Sequence, residues 1–198
     1  MSQTELPEAI TEATQPICRL EVPPLDNVDP DVRKIVETHG GDNWLRAFAL
    51  SAGAFKRFMT YYNDIFNSRK GRLPLREREL IGVVVSAENG CGYCEMNHLR
   101  GLSRALKDSV RARRIALDHH TVDLSARERG IAELALKITR DPKTVEPADF
   151  DRLRDLGMDD EEILEVIEMA SWFNHSNRIA ISMGIVPDEK FFQPEWVR

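Results

Sequence analysis

The sequence predicts an all-α protein with essentially no β-sheet. Apolar residues recur at three- and four-residue steps along every long segment, and no run alternates convincingly between apolar and polar. Proline, glycine and short polar residues stand where these segments start and stop. A helical bundle is therefore the expected architecture.

The individual helices follow from their boundary residues. Asp29 and Pro30 open the first as N-cap and first helical residue, and Gly40 ends it. Ser125 and Glu128 form a capping box at the start of another. The remaining predicted helices run from about Asn43 to Asn67, Leu75 to Glu88, the Cys91–Cys94 motif to Leu106, Asp108 to Leu117, Ala148 to Leu156 and Asp159 to Met183, while the Ser125 helix reaches Arg140.

The chain divides into an arm and one domain. Four prolines keep residues 1–28 from forming a long helix, so an extended arm is expected there, with Cys18 packed on the domain as a small hydrophobe. Residues 29–198 form a single all-helical domain. Its aromatic stripe, from Trp44 to Phe66, is typical of a core and would also suit a pocket lining or a subunit contact.

Composition excludes several classes of function. The net charge of -6 and the pI near 5.5 argue against nucleic acid or an anionic membrane as partner. No apolar run approaches the roughly 20 residues of a membrane span. The first residues lack the basic start and apolar core of a secretory signal, and three cysteines fit a reducing compartment. We expect a cytoplasmic protein.

The chemistry concentrates in one stretch, Glu79 to His98. Cys91, Cys94 and His98 are spaced to share one face of a helix. A thiol near a helix N-terminus is favoured as thiolate by the backbone N–H groups and the helix dipole. We expected Cys94, one turn further in beside His98, to gain most from this, and Cys91 to be the more accessible sulfur. Glu79 begins an apolar helix, which points it inward, and it should hydrogen-bond to His98.

Three further features were weighed for function. His119 and His120 invite a metal site, but neighbouring side chains on an extended segment diverge, so we expected both to be exposed. The middle of the last helix is unusually polar, with Asn174, His175, Asn177 and Arg178. These residues either approach the cysteines or a partner subunit, or they face solvent. The basic loop Arg69–Pro74 is interpreted as a solvated turn.

A short internal repeat is also present. Residues Leu73–Leu80 resemble residues Leu124–Ile131, and each copy is followed by a buried helix. The second copy has Gly130 where the first has Glu79, and no cysteines follow it. This favours a duplicated unit with one active and one structural half.

The spacing of Glu79, Cys91, Cys94 and His98 resembles that of the alkylhydroperoxidase D-like branch of the carboxymuconolactone decarboxylase family. Arg76–Leu80 and the residues between the two cysteines add to this likeness, and the segment Phe173–Ala180 resembles the peroxidase-related subgroup. The resemblance implies an all-helical homo-oligomer (trimer, hexamer or dimer) that reduces hydroperoxides without metal or other cofactor. It also implies Cys94 as attacking sulfur, Cys91 as resolving sulfur, and Glu79 with His98 as proton relay. Tyr93 stands where better-studied members carry a histidine.

The function expected from these observations is a thiol peroxidase served by an external dithiol reductant. A disulfide reductase or redox sensor would use the same cysteine pair without peroxide. A decarboxylase or lactonase of the same superfamily would not need the thiols. A zinc site of Cys91, Cys94, His98 and Glu79 has enough ligands, but a pair on one helix makes a poor tetrahedron.

Overall fold

A computed structural model describes residues 16–66 and 71–193. In these ranges the chain is all-helical, without strands, as the sequence predicts. Nine α-helices are described: α1 Pro30–Thr38, α2 Asn43–Phe48, α3 Ala52–Ile65, α4 Leu75–Glu88, α5 Gly92–Leu106, α6 Ser109–Asp118, α7 Ala126–Arg140, α8 Pro147–Asp155 and α9 Asp160–Met183. None of the helices in the described ranges is long and apolar enough to cross a membrane.

Helix α4 is the centre of the bundle. It contacts α5, α6, α7 and α9, and every residue from Glu77 to Ser86 is buried. A helix surrounded by others must be apolar on all sides, which is why its middle shows no polar stripe. Any polar side chain between Glu77 and Ser86 is consequently held inside the protein, and Glu79 is one of them.

The single helix predicted from Asn43 to Asn67 is two helices in the structure. Ser51 takes an extended conformation and its Oγ accepts a hydrogen bond from the N–H of Ala54, so it caps the start of α3. The apolar spacing runs through the break because both helices pack on the same core. Asn67 lies outside the described residues.

The aromatic stripe is used mainly within the chain. The Phe58 ring lies 4.4 Å from that of Phe48 and 4.7 Å from that of Trp172 on α9, measured between centroids. Phe55 and Met59 are buried in a smaller core with α1 and α2. Contacts to the rest of the chain therefore account for most of this stripe, and the homo-oligomer stays a prediction.

The arm and the tail are only partly described. Cys18 is buried in the core, as expected, and the N–H of Arg19 donates to the carbonyl of Met183 at 2.7 Å. Residues 1–15 and the tail residue Trp196 lie outside the described ranges, as do Arg69 and Lys70 of the basic loop. Phe191 is buried and Phe192 is exposed, so the tail docks through one of its two phenylalanines.

The two copies of the internal repeat face each other and pair reciprocally. Arg127 of the second copy donates hydrogen bonds of 2.9 and 3.0 Å to the buried Glu77 of the first. Arg76 of the first copy lies 3.7 Å from Glu128 of the second, which is also buried. Reciprocal contacts of this kind are expected of two related units packed about a pseudo-twofold axis.

The second arginine of each copy repeats the correspondence. Arg78 donates to the carbonyl of Ile65 at 2.9 Å, and Arg129 donates to the carbonyl of Val122 at 3.0 Å. Each arginine thus fastens its helix to the segment that precedes it. The same local sequence makes the same local contact twice.

Gly82 should be intolerant of a side chain. A Cβ placed there would lie 2.5 Å from the Phe173 ring of α9, well inside normal contact distance. We expect Gly82→Ala to lower the free energy of unfolding by about 1–3 kcal/mol, as overpacked cores do. Gly53→Ala is the matched control, because its Cβ would meet only the end of the flexible Arg57 and a helical glycine gains up to about 1 kcal/mol on becoming alanine. Urea unfolding of both variants checks this; equal stability changes would contradict the packing argument.

Candidate active site

The cysteine motif lies at the junction of α4 and α5. Gly90, with φ of 69°, makes the turn between the helices, and Cys91 stands at the N-cap of α5. This left-handed conformation suits glycine, because other residues pay a steric penalty there. The turn places both sulfurs at the N-terminal end of α5.

Glu79 and His98 meet inside the bundle. The Oε2 atom of Glu79 lies 2.8 Å from Nδ1 of His98, and both side chains are buried. The bond joins α4 to α5. The inward orientation of Glu79 and its partner, both predicted from the sequence, are confirmed.

Gly101 makes room for this carboxylate. A Cβ at Gly101 would lie only 2.3 Å from the Glu79 carboxyl carbon. Helix α5 therefore approaches the acid with its bare backbone face. Gly101 was not among the predicted site residues, although a glycine one turn from His98 on the same helix is the available signal.

Aromatic rings fix the orientation of His98. The Phe66 ring stacks on the imidazole with centroids 5.4 Å apart, and Phe173 meets it edge-on at 4.6 Å. With Nδ1 bonded to Glu79 and both sides of the ring contacted, the imidazole has little freedom to rotate. Its remaining nitrogen, Nε2, is the one available for proton transfer.

His98 and Cys94 line the same cavity. It has a volume of about 50 Å³, room for a few water-sized groups, and its wall is mainly aromatic. The other lining residues are Trp44, Phe48, Phe58, Tyr62, Tyr93, Asn97, Trp172, Ser176, Ala180 and Ile185. Burial raises the pKa of Tyr62 to about 12, so this phenol stays protonated near neutral pH.

The accessibility of the two sulfurs is the reverse of our expectation. Cys91 is buried, whereas Cys94 is partly exposed and lines the cavity. The N-cap position tucks the Cys91 side chain back against the end of α4 and the core. A molecule entering the cavity therefore reaches Cys94 first.

The two thiols also differ in acidity. A hydrogen bond from the Cys94 thiol lowers the pKa of Cys91, and the backbone N–H groups of Cys94 and Tyr93 add to this against the effect of burial. The same hydrogen bond, together with burial, raises the pKa of the Cys94 thiol. The thiolate is therefore favoured at Cys91, chiefly by the hydrogen bond from Cys94, and not at Cys94 as expected from the sequence.

Of the four polar residues in the middle of α9, two face solvent and two lie at least partly inside the protein. His175 and Arg178 are exposed, but Asn177 is fully buried and Asn174 is half-buried. Asn177 donates to Ser86 Oγ at 3.1 Å and accepts from Asn89 at 3.0 Å. Its side chain also hydrogen-bonds to Cys94 and lowers the pKa of that thiol. Helix α9 thus contributes a polar group to the cysteine site.

Tyr93 fastens the C-terminal segment beside the cavity. Its hydroxyl donates to Asp188 at 2.5 Å and accepts from the N–H of Trp44 at 3.3 Å. Asp188 also accepts from the N–H of Asn43 at 3.0 Å. Burial and the Asp188 carboxylate raise the pKa of Tyr93 strongly, so this residue does not take the place of a proton-transferring histidine.

The Tyr93 contacts predict a structural effect on substitution. In Tyr93→Phe we expect faster amide hydrogen exchange in residues 185–191, because the hydroxyl that anchors Asp188 is lost. Reactivity of the thiols with peroxide should stay within about threefold of the unmodified protein, since loss of a general acid or base costs far more. A rate as low as that of a protein lacking Cys94 would instead make Tyr93 a proton carrier.

The comparisons with known proteins agree with this arrangement. The model of the carboxymuconolactone decarboxylase family matches residues 52–135, the range that contains Glu79, both motif cysteines and His98. An uncharacterized peroxidase-related protein from Ralstonia eutropha JMP134, described as an alkylhydroperoxidase AhpD core, is 31% identical. The match covers 90% of this chain and 96% of that one, with a TM-score of 0.83. The chain belongs to the carboxymuconolactone decarboxylase family, in its alkylhydroperoxidase AhpD-like branch.

Other solved structures share the AhpD-like fold. An uncharacterized peroxidase-related protein from Silicibacter sp. TM1040 is 28% identical over 92% of this chain and 97% of its own, with a TM-score of 0.83. The debrominase Bmp8, solved in complex with 2,3,4-tribromopyrrole, is 16% identical over 87% of this chain and 91% of its own, with a TM-score of 0.69. That likeness concerns the fold alone. No curated protein matches the chain.

Proposed function

We propose that this protein is a thiol peroxidase that reduces hydroperoxides through Cys94 and Cys91 and is recycled by an external dithiol. The observation that carries the proposal is the buried bond between Glu79 and His98, beside the cavity that Cys94 lines. A carboxylate–imidazole pair is the usual means of giving a nearby thiol a proton acceptor. Membership in the AhpD-like branch supports the same chemistry.

The first step takes place at Cys94. In the tautomer that donates Nδ1–H to Glu79, Nε2 of His98 is an acceptor and takes the proton of the Cys94 thiol. The sulfur attacks the terminal oxygen of the hydroperoxide, and the O–O bond breaks. Cys94 becomes a sulfenic acid, and the leaving alkoxide takes the proton from His98 to give an alcohol. The Glu79 carboxylate stabilises the imidazolium that exists between these proton transfers.

The second step uses Cys91, whose lowered pKa favours the thiolate. This thiolate attacks the Cys94 sulfur and forms the disulfide, and the hydroxide that leaves takes a proton to become water. Two electrons have then passed from the two thiols to the peroxide. A dithiol supplies two electrons and two protons to restore the pair. The burial of Cys91 and the exposure of Cys94 make Cys94 the sulfur that the dithiol attacks.

A peroxide-consumption assay tests this function. The reduced protein is mixed with hydrogen peroxide or an organic hydroperoxide and each of several dithiol donors. We expect turnover with at least one donor, and disulfide formation between Cys91 and Cys94 by mass spectrometry. A protein that reduces disulfides but consumes no peroxide would instead be a disulfide reductase. Activity on a lactone or a carboxylate that survives loss of both cysteines would indicate the chemistry of the decarboxylase members.

Asn177 gives a finer test of the Cys94 step. We expect Asn177→Leu to raise the pKa of the Cys94 thiol, because the amide that favours its thiolate is lost. The peroxide reaction at neutral pH should slow, and raising the pH should restore part of the rate. Thiolate absorbance against pH in a Cys91→Ser background measures the shift. Asn97→Leu, which changes another amide of the cavity wall, is the control.

A further inference from the structure

A second group of metal-ligating side chains lies outside the cysteine site. Asp118 ends α6, and His119 and His120 follow in a 3-10 turn, Asp118 Oδ1 accepting from the backbone N–H of His120 at 3.0 Å. The turn, which the sequence analysis expected to be an extended loop, directs three consecutive side chains to one place. The expectation that both histidines are exposed is wrong for His119, which is buried.

The donor atoms of these residues are close together. One carboxylate oxygen and one nitrogen of each imidazole lie within 4.8 Å of one another, and no other group of three or more such residues in ranges 16–66 and 71–193 meets that condition. The imidazole rings are 3.9 Å apart between centroids, tilted by 43°. Nδ1 of His120 lies 3.0 Å from Asp118 Oδ1. Small side-chain rotations would bring the donors to the spacing of a coordinated ion.

A second observation points to a ligand here. His119 is 8% exposed, and its Nε2 is fully buried and has no hydrogen-bond partner in the protein. Buried polar atoms are nearly always paired, so an unpaired imidazole nitrogen calls for an explanation. A bound cation would give this nitrogen a partner. The imidazole ring of His119 would flip or rotate as it coordinates the cation.

Both positively and negatively charged side chains lie near His119. Arg129 and Arg140 both act electrostatically on His119. Arg140 donates two hydrogen bonds of 2.8 Å to Glu88, and Arg129 donates to the carbonyl of Val122 at 3.0 Å. Glu88 adds a further carboxylate close enough to interact with His119. The two carboxylates, of Asp118 and Glu88, match the two guanidinium groups in number, so these four groups together add no net formal charge around His119.

We infer that Asp118, His119 and His120 form a binding site for a divalent transition metal ion of the Zn²⁺ class. Two imidazoles and a carboxylate are the ligands that this class prefers, whereas Mg²⁺ and Ca²⁺ prefer oxygen donors. Three protein ligands leave a coordination position for water or another group. The site is separate from the cysteine pair and does not depend on the proposed peroxidase activity.

Zinc titration by calorimetry tests the site. Thiolates are general zinc ligands, so the titration uses the full chain with Cys91→Ser and Cys94→Ser, stripped of metal beforehand. We expect about one Zn²⁺ per chain and no comparable heat with Mg²⁺. Replacing Zn²⁺ with Co²⁺ should give visible absorption bands that report tetrahedral nitrogen and oxygen ligands.

Four single changes in that background decide whether the cluster is the site. His119→Ala, His120→Ala and Asp118→Asn should each weaken zinc binding at least about tenfold, as loss of a ligand does. Asp118→Asn keeps an oxygen that can cap the turn, and exposed His120 can be changed with little risk to folding. His39→Ala removes an exposed histidine on α1 and should leave affinity unchanged. Absence of zinc binding, or binding that depends on His120 alone, would overturn the inference.

Discussion

Cys94→Ser should consume no hydroperoxide above background, while Cys91→Ser should complete a single turnover and stop. Cys94 is the sulfur that lines the cavity and lies on the same face of α5 as His98. Serine there removes the atom that attacks the peroxide. Serine at Cys91 leaves the attack intact but removes the thiolate that resolves the sulfenic acid. The trapped sulfenic acid on Cys94 is detectable by mass spectrometry after reaction with a specific probe.

The third cysteine provides the control for this pair. Cys18 is buried in the core, and its thiol donates to the carbonyl of Leu20 at 3.5 Å. Cys18→Ser should keep the full rate. If Cys91→Ser abolished the first step and Cys94→Ser allowed it, the two roles would be exchanged. Equal activity in both variants would remove the pair from peroxide chemistry.

Gly101→Ala should slow peroxide reduction by about ten- to a hundredfold, although it changes no reacting group. The added methyl would lie 2.3 Å from the Glu79 carboxyl carbon, so the acid or the helix must move. Either movement separates Glu79 from Nδ1 of His98, where the present distance is 2.8 Å. Stopped-flow measurement of the first step isolates this effect, because the two cysteines themselves are unchanged.

Two variants frame that result. Gly92→Ala lies on the same helix, and its Cβ would meet no atom within 4 Å, so the rate should be unchanged. Glu79→Gln keeps the shape of the side chain and removes its charge, and it should slow the reaction at neutral pH with the helical circular dichroism intact. If Gly101→Ala and Glu79→Gln both reacted at the full rate, Glu79 would be a structural residue.

Only the first copy of the internal repeat carries the glutamate of the candidate site, and only that copy is followed by the cysteines and the histidine. Gly130 occupies the position that corresponds to Glu79. A Cβ there would lie 2.9 Å from the Leu153 side chain and 3.1 Å from that of Leu156. Two leucine side chains, at the C-terminal end of α8, thus fill the space that the acid occupies in the first copy. The arginine–glutamate pairs remain in both copies because they hold the two units together.

Local sequence determined the helices and the main elements of the site. Most helix ends carry a capping residue within a few positions, and Asp29, Ser125 and Asp159 all accept backbone hydrogen bonds as their residue types predict. The inward orientation of Glu79 and His98 could also be predicted from the sequence. An all-apolar helix is buried on every side, so Glu79 at its start points inward. The four-residue spacing of Cys94 and His98 places both on one face of a helix. These are properties of short segments, so the sequence reveals them directly.

Only the tertiary structure decided which sulfur is accessible, which is the more acidic, and which residues of α9 join them. Asn177 is buried and His175 is exposed, although they stand two residues apart, because the packing of α9 on α4 selects one face. Cys91 is buried in the main core, to which α4, α5, α7 and α9 all contribute side chains. The convergence of Asp118, His119 and His120 depends on a 3-10 turn that no sequence pattern predicted. The burial of Cys91 and the selection of Asn177 depend on contacts between segments far apart along the chain, which local periodicity cannot encode, whereas the 3-10 turn is a local structure without a distinctive sequence signal.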